Sequence, residues 1–272
     1  MKSFTTTLIA AAAMLMGAHA NAAIVETWSV DIAGTWTAAG PSGVTRTASK
    51  LTWGSPATFL GAQSSLLITN PALGLSLDTY VGEGTPPAAN TVQTLTLTHN
   101  NNPITGTSLA TATLSVSLSL TPTLPAATGF PLGTIDYAIK FFETPNSAGT
   151  CAVVGSLTPC DDIFVLTSGL LNESFEYDGI SYFVNAFPTA DGMLKTLDDR
   201  TCTAAGAGRN CLGFTTGEGK SNKLTLGLSI STLPLSVEPP PSSPVSEPAS
   251  LALLGLALAG AGFSATRRRQ AR

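Results

Sequence analysis

The sequence predicts an all-β fold, an antiparallel β-sandwich or jelly-roll-like single domain. Three observations predict it. Apolar residues recur with period two through the body of the chain, and long stretches of period 3.6 do not occur. Charged residues make up 11% of the 272, so helix formers such as Glu and Lys are scarce against Thr, Ser and Gly. Turn signals separate the apolar runs, and the helices that a parallel α/β layout needs between strands do not show.

Each strand has its own pattern. Thr27 to Trp36 places Trp28, Val30 and Ile32 on one face, and Thr47 to Trp53 follows. Ser64 to Thr69 is a short apolar strand that stops at Asn70-Pro71. Thr91 to Thr98 sets Leu95 and Leu97 on one face with Val92 opposite. Leu109 to Leu120 alternates most clearly: Leu114, Val116, Leu118 and Leu120 against Ser115, Ser117 and Ser119, one face buried and one hydroxylated. Ile135, Tyr137, Ile139 and Phe141 form the next strand, and Ile163 to Leu166 another. Glu173 to Phe187 reads as a hairpin, because Asp178-Gly179 supplies the two positive-φ positions of a type I′ turn between Tyr177 and Ile180. Leu224, Leu226, Leu228 and Ile230 close the series of about nine or ten strands.

The two ends have a different composition. Lys2 opens a basic start, Leu8 to Gly17 is apolar, and Ala18-His19-Ala20 matches a secretory cleavage site. Residues 1–23 are therefore expected to form an N-terminal signal helix cleaved near 20–23. The β domain is expected over 24–233, and the proline-rich stretch 234–245 as an extended linker. Then come Ser246-Glu247-Pro248-Ala249-Ser250, the uncharged run Leu251 to Thr266, and a basic cluster of Arg267, Arg268, Arg269 and Arg272. As a helix the run reaches about 24 Å, short of a hydrocarbon core of roughly 30 Å. Snorkelling arginines extend it and hold its end on the cytoplasmic side. These features predict a C-terminal transmembrane helix that tethers the chain until a protease removes it.

This three-part tail resembles the sorting signal of the PEP-CTERM family of bacterial surface proteins, with Ser246 in place of the usual first proline. The resemblance implies export through the Sec translocon and a transient stay in the inner membrane of a Gram-negative bacterium. It implies cleavage by an exosortase, a membrane-embedded cysteine protease, and delivery to the cell surface or an exopolysaccharide matrix. Within the body, Thr98-His99-Asn100-Asn101 followed by Asn102-Pro103-Ile104 resembles the motif that names the THxN group of these proteins.

Without its ends the chain holds eight Lys or Arg and 16 Asp or Glu, a net charge of about −8. That balance argues against nucleic-acid partners, which need clustered cations. The four cysteines allow three pairings. Cys151 and Cys160 enclose eight residues, as do Cys202 and Cys211, so two local disulfides, Cys151–Cys160 and Cys202–Cys211, are expected in an oxidising compartment. A four-cysteine zinc site is the rival, and its usual C-x2-4-C spacing is missing.

After signal cleavage His99 is the one histidine left. Three asparagines before Pro103 suggest a tight corner that the imidazole locks through a neighbouring carbonyl, with ligand binding as the functional alternative. No G-x-S-x-G, H-E-x-x-H, P-loop or G-x-G-x-x-G motif is present. Glu173 and Glu176 look like solvent-face charges. Asp161-Asp162 and Asp198-Asp199 lack EF-hand spacing and read as surface charges, with calcium as the alternative. The expectation is a non-enzymatic surface or matrix protein with no catalytic residues, cofactor or metal site. The alternatives are a carbohydrate- or calcium-binding module, with Trp36, Trp53 and Tyr80 as candidate sugar platforms, or a secreted hydrolase.

Overall fold

A computed structural model describes residues 23–146, 150–156, 159–167, 172–188 and 195–235. The expected signal segment up to residue 22, the expected linker from residue 236 on, the sorting motif, the apolar run and the arginine cluster lie outside the described residues, while Leu235 bonds Asn172. Among those described, no helix is long and apolar enough to cross a membrane.

The strands are β1 (Thr27–Gly40), β2 (Thr45–Arg46), β3 (Lys50–Trp53), β4 (Ser55–Pro56), β5 (Ser64–Thr69), β6 (Leu75–Asp78), β7 (Val92–Asn101) and β8 (Ile104–Thr105). They continue with β9 (Thr111–Leu124), β10 (Phe130–Phe142), β11 (Asp162–Leu166), β12 (Glu173–Tyr177), β13 (Ile180–Pro188), β14 (Lys195–Thr196), β15 (Leu212–Thr216) and β16 (Lys220–Ser231). One short helix, α1 (Asp199–Ala204), precedes β15. The fold is all-β, with two seven-stranded antiparallel sheets ordered β14-β15-β11-β10-β9-β1-β6 and β12-β13-β16-β7-β5-β3-β2. A separate pair, β4 and β8, forms a small third sheet.

Alternation explains the inner faces. Leu114, Val116, Leu118 and Leu120 of β9 are buried, and so are Trp28, Val30, Ile32 and Trp36 of β1, its neighbour in the sheet. From the other sheet Leu51, Trp53, Leu66, Leu97, Tyr182, Leu224 and Ile230 join the same hydrophobic cluster. Trp28 meets Phe130, Phe175, Tyr177 and Tyr182 edge-on, with ring centroids 5.3–6.3 Å apart. Such edge-to-face pairs add about 0.5–1.5 kcal/mol each beyond area burial. Ser115 departs from the alternation: it is buried because its hydroxyl bonds both Thr37 and Asp136.

The Asp178-Gly179 turn forms as the sequence predicts, with φ of 49° and 74° and with Tyr177 opposite Ile180. Both local disulfides form, with Cα–Cα distances of 5.3 Å for Cys151–Cys160 and 5.7 Å for Cys202–Cys211. Two expectations need correction. Thr47 to Trp53 is not one strand: Thr47 N donates to Lys50 O at 2.8 Å, so the chain turns there between β2 and β3. A helix does occur between strands. Asp198 caps α1 by accepting from Thr201 N at 2.9 Å, and buried Cys202 anchors it. The strands β6 and β15 are short, and β15 is broken in pattern by Gly213, whose missing side chain lets Phe164 O of β11 approach.

Candidate functional site

The chemistry gathers where β7 of one sheet faces β11 and β15 of the other. His99 and Asn101 project from β7 into the interior, and each is 0% exposed. Both reach Thr216, the last residue of β15: His99 Nδ1 shares a hydrogen bond with Thr216 Oγ1 at 2.8 Å, and Asn101 Nδ2 donates to Thr216 O at 3.2 Å. The imidazole stacks on Trp53 at 5.5 Å and meets Phe141 and Phe164 edge-on. Burial without a charged partner holds its pKa down at about 3, so the ring is neutral.

The predicted corner is therefore corrected. His99 sits inside a strand and bonds a hydroxyl 117 residues away, not a local carbonyl. β7 continues through Asn101 because the outward-facing Asn100 bonds Ser65 and the inward-facing Asn101 has Thr216. The chain turns only at Asn102, whose backbone is bracketed by Ser64 Oγ. Thr98 is half-buried on the opposite face of β7.

Beside this contact lie three carboxylates. Asp162 opens β11 and stands opposite Thr216 in the ladder. Glu143 follows the end of β10, where Phe142 pairs with Ile163. Glu218 occupies the tight turn between β15 and β16, closed by Gly219 at φ 68°. One oxygen from each lies within 4.8 Å of the others. Asp162 is 0% exposed, and its Oδ1 accepts from Thr144 N at 2.8 Å and Thr144 Oγ1 at 3.2 Å. Thr144 Oγ1 also donates to Cys160 O at 2.9 Å, so the Cys151–Cys160 loop braces the same arm. Glu143 Oε2 accepts from Trp53 Nε1 at 3.2 Å.

Burial raises all three carboxyl pKa values. Asp162 is raised further by the charge on Glu143, and Glu143 by the charge on Glu218. The Gly219 N–H and the Asn101 carboxamide lie near enough to offset part of the rise at Glu218, without reaching hydrogen-bond geometry. Taking a carboxylate out of water costs several kcal/mol after relaxation, so three ionised groups at this separation need protons or a counter-charge. The sequence-based reading of Asp162 as a surface charge is corrected by its burial. Glu143 and Glu218 carry no sequence signal of a site, since neither stands in a motif or beside a second acidic residue.

The other acidic pairs do not converge here. Asp198 caps α1, and Asp199 pairs with Arg209 at 3.6 Å on the surface. Glu173 and Glu176 are exposed on β12. Trp36 and Trp53 are buried, and the Tyr80 hydroxyl donates to Glu83 O at 2.5 Å, so the three do not form a common stacking platform.

Residues 244–269, which lie beyond the described residues, match the family described as the PEP-CTERM protein-sorting motif. That motif defines a class: exported proteins that pass the membrane toward the cell surface and are processed by an exosortase. This chain carries the signal of that class over its tail. No curated protein matches the chain.

Proposed function

We propose that the protein is a non-enzymatic surface or matrix protein of a Gram-negative bacterium, working by display, adhesion or cohesion after an exosortase releases it from its membrane tether. The sorting-motif match at 244–269 is the observation that carries this reading. Supporting it, two local disulfides suit an oxidising exterior, and the net charge of the body is about −8, which suits a soluble coat away from nucleic acid. On this reading residues 1–23 are the removed signal helix, and Leu251 to Thr266 is the transient span capped by Arg267, Arg268, Arg269 and Arg272. The two sheets form a sandwich held clear of the bilayer by the 234–245 linker. On this reading Thr98, His99 and Asn101 are a THxN motif, whose His99 and Asn101 join the two sheets through Thr216. Exopolysaccharide is the proposed matrix partner.

The stacked interior argues against a hydrolase at the carboxylate cluster. The free oxygens of Glu143, Asp162 and Glu218 are buried, and a substrate has no surface from which to reach Asp162.

The test is the fate of a Glu247→Ala, Pro248→Ala variant expressed in a host that contains an exosortase. The wild-type body is expected in the extracellular or matrix fraction, and the variant is expected uncleaved in the inner membrane. Equal distribution of both between fractions contradicts the reading.

A further inference from the structure

Nine buried side-chain polar atoms among the described residues have no hydrogen-bond partner. Four of them are oxygens of the three clustered carboxylates, Glu143 Oε1, Asp162 Oδ2 and both oxygens of Glu218, and two more are Asn101 Oδ1 and Asn146 Oδ1. Buried acceptors normally find donors, and one orphan costs about 1–3 kcal/mol. Asn101 is itself 0% exposed, and its carboxamide lies against Glu218, while that of Asn146 lies against Glu143. No described Lys or Arg forms an ion pair with the three carboxylates; Lys220 flanks the turn near Gly217 and Asp161 without reaching them.

We propose that Glu143, Asp162 and Glu218, with the side-chain oxygens of Asn101 and Asn146, form a calcium site that pins β7 and the β15–β16 turn to β10 and β11. The donor set decides the ion. It is all oxygen, which suits a hard cation, and no sulfur or imidazole joins the cluster. Calcium–oxygen bonds of 2.3–2.6 Å allow ligand atoms on opposite sides of the ion to stand up to about 5 Å apart, whereas magnesium at 2.0–2.1 Å holds them within about 4.2 Å. One oxygen from each carboxylate lies within 4.8 Å of the others, close enough for one calcium ion to bridge them. The carboxylates offer four unpartnered oxygens, and water with the Asn101 and Asn146 carboxamides can supply the rest of the six to eight that calcium takes. Two elements already fix the geometry: Thr144 orients Asp162 through two donors, and Trp53 orients Glu143. The inference stands on the folded body alone and is independent of how the tail is processed.

Trp53 also supplies the probe, because its indole N–H is 3.2 Å from Glu143 Oε2. Terbium, a calcium substitute, bound at the site should emit when tryptophan is excited, and calcium should displace it. The disulfide-intact protein is first stripped with EDTA and then melted in about 10 mM calcium, about 100 times a dissociation constant at the tight end of the extracellular range. A ligand at about 100 times its dissociation constant should raise the melting temperature by roughly 5–10 °C for a domain of this size, and magnesium should raise it less. Glu218→Gln, a substitution in a half-buried turn, should weaken calcium and terbium binding at least about tenfold, and Asp199→Asn on the surface should not change them. The proposal is overturned if calcium gives no shift and terbium no tryptophan-excited emission, which would leave a proton-sharing cluster. It is equally overturned if Glu218→Gln responds like the wild type, which would place binding elsewhere. If Glu218→Gln fails to fold, the terbium emission of the wild-type protein and its displacement by calcium decide the matter alone.

Discussion

His99 shows how a single buried ring sets both packing and pH response. In the fold its pKa is held near 3 by burial, whereas an unfolded histidine titrates near 6.5. Between those values the unfolded chain binds a proton that the folded chain refuses, so stability rises with pH there. The contribution is fully present above about pH 6.5 and is lost as pH falls toward 3. Replacing His99 with Ala removes the Trp53 stack and leaves Thr216 Oγ1 without its partner. The expected cost is about 3 kcal/mol at neutral pH, together with a flatter acid limb in melting curves recorded across pH. An unchanged melting temperature and acid limb would refute this role for the ring. The sequence shows only a histidine next to asparagines. The alternation of β7 was legible as far as Thr98, but the turn residues that follow suggested a corner. The ladder to β5 and β16 overrode that local preference and carried His99 and Asn101 inward.

At the scale of elements, legibility followed locality. The β9 alternation, the Asp178-Gly179 turn and the two cysteine loops are each decided within about ten residues, and each appears in the structure. The carboxylate cluster joins residues 143, 162 and 218 from three elements, and no spacing rule links them. The one signal available was Asp162 directly before the apolar run Ile163 to Leu166, a charge placed where a buried strand begins. α1 escaped because six residues give no periodicity and depend on the Asp198 cap and the Cys202–Cys211 bridge. Gly54 illustrates a similar long-range constraint. It lies between β3 and β4 at φ +74°, and an added Cβ would stand 2.4 Å from Ile104 Cδ1 and 2.7 Å from Ile104 Cβ on β8. Gly54→Ala is therefore expected to destabilise by about 2–4 kcal/mol, through the left-handed backbone and the overlap together. Denaturant melts of the purified protein check this; a loss under about 0.5 kcal/mol, the size of an ordinary surface change, contradicts it.

For the whole molecule, the body and the tail answer different questions. Two antiparallel sheets share one aromatic-rich core, cross-braced where Thr216 receives His99 and Asn101. All four cysteines of this body are paired, as an oxidising compartment favours. The tail carries the destination, through a motif match that ends among the arginines at residue 269. The proposed life history is a polypeptide that crosses the membrane, folds and oxidises outside, and then loses its hydrophobic end. Intact mass of the native extracellular form tests all three together. The expected species lacks the signal segment, lacks Leu251 to Arg272, and carries four cysteines oxidised as two disulfides. A reduced chain of all 272 residues, recovered from the cytosol with both ends in place, would contradict the account.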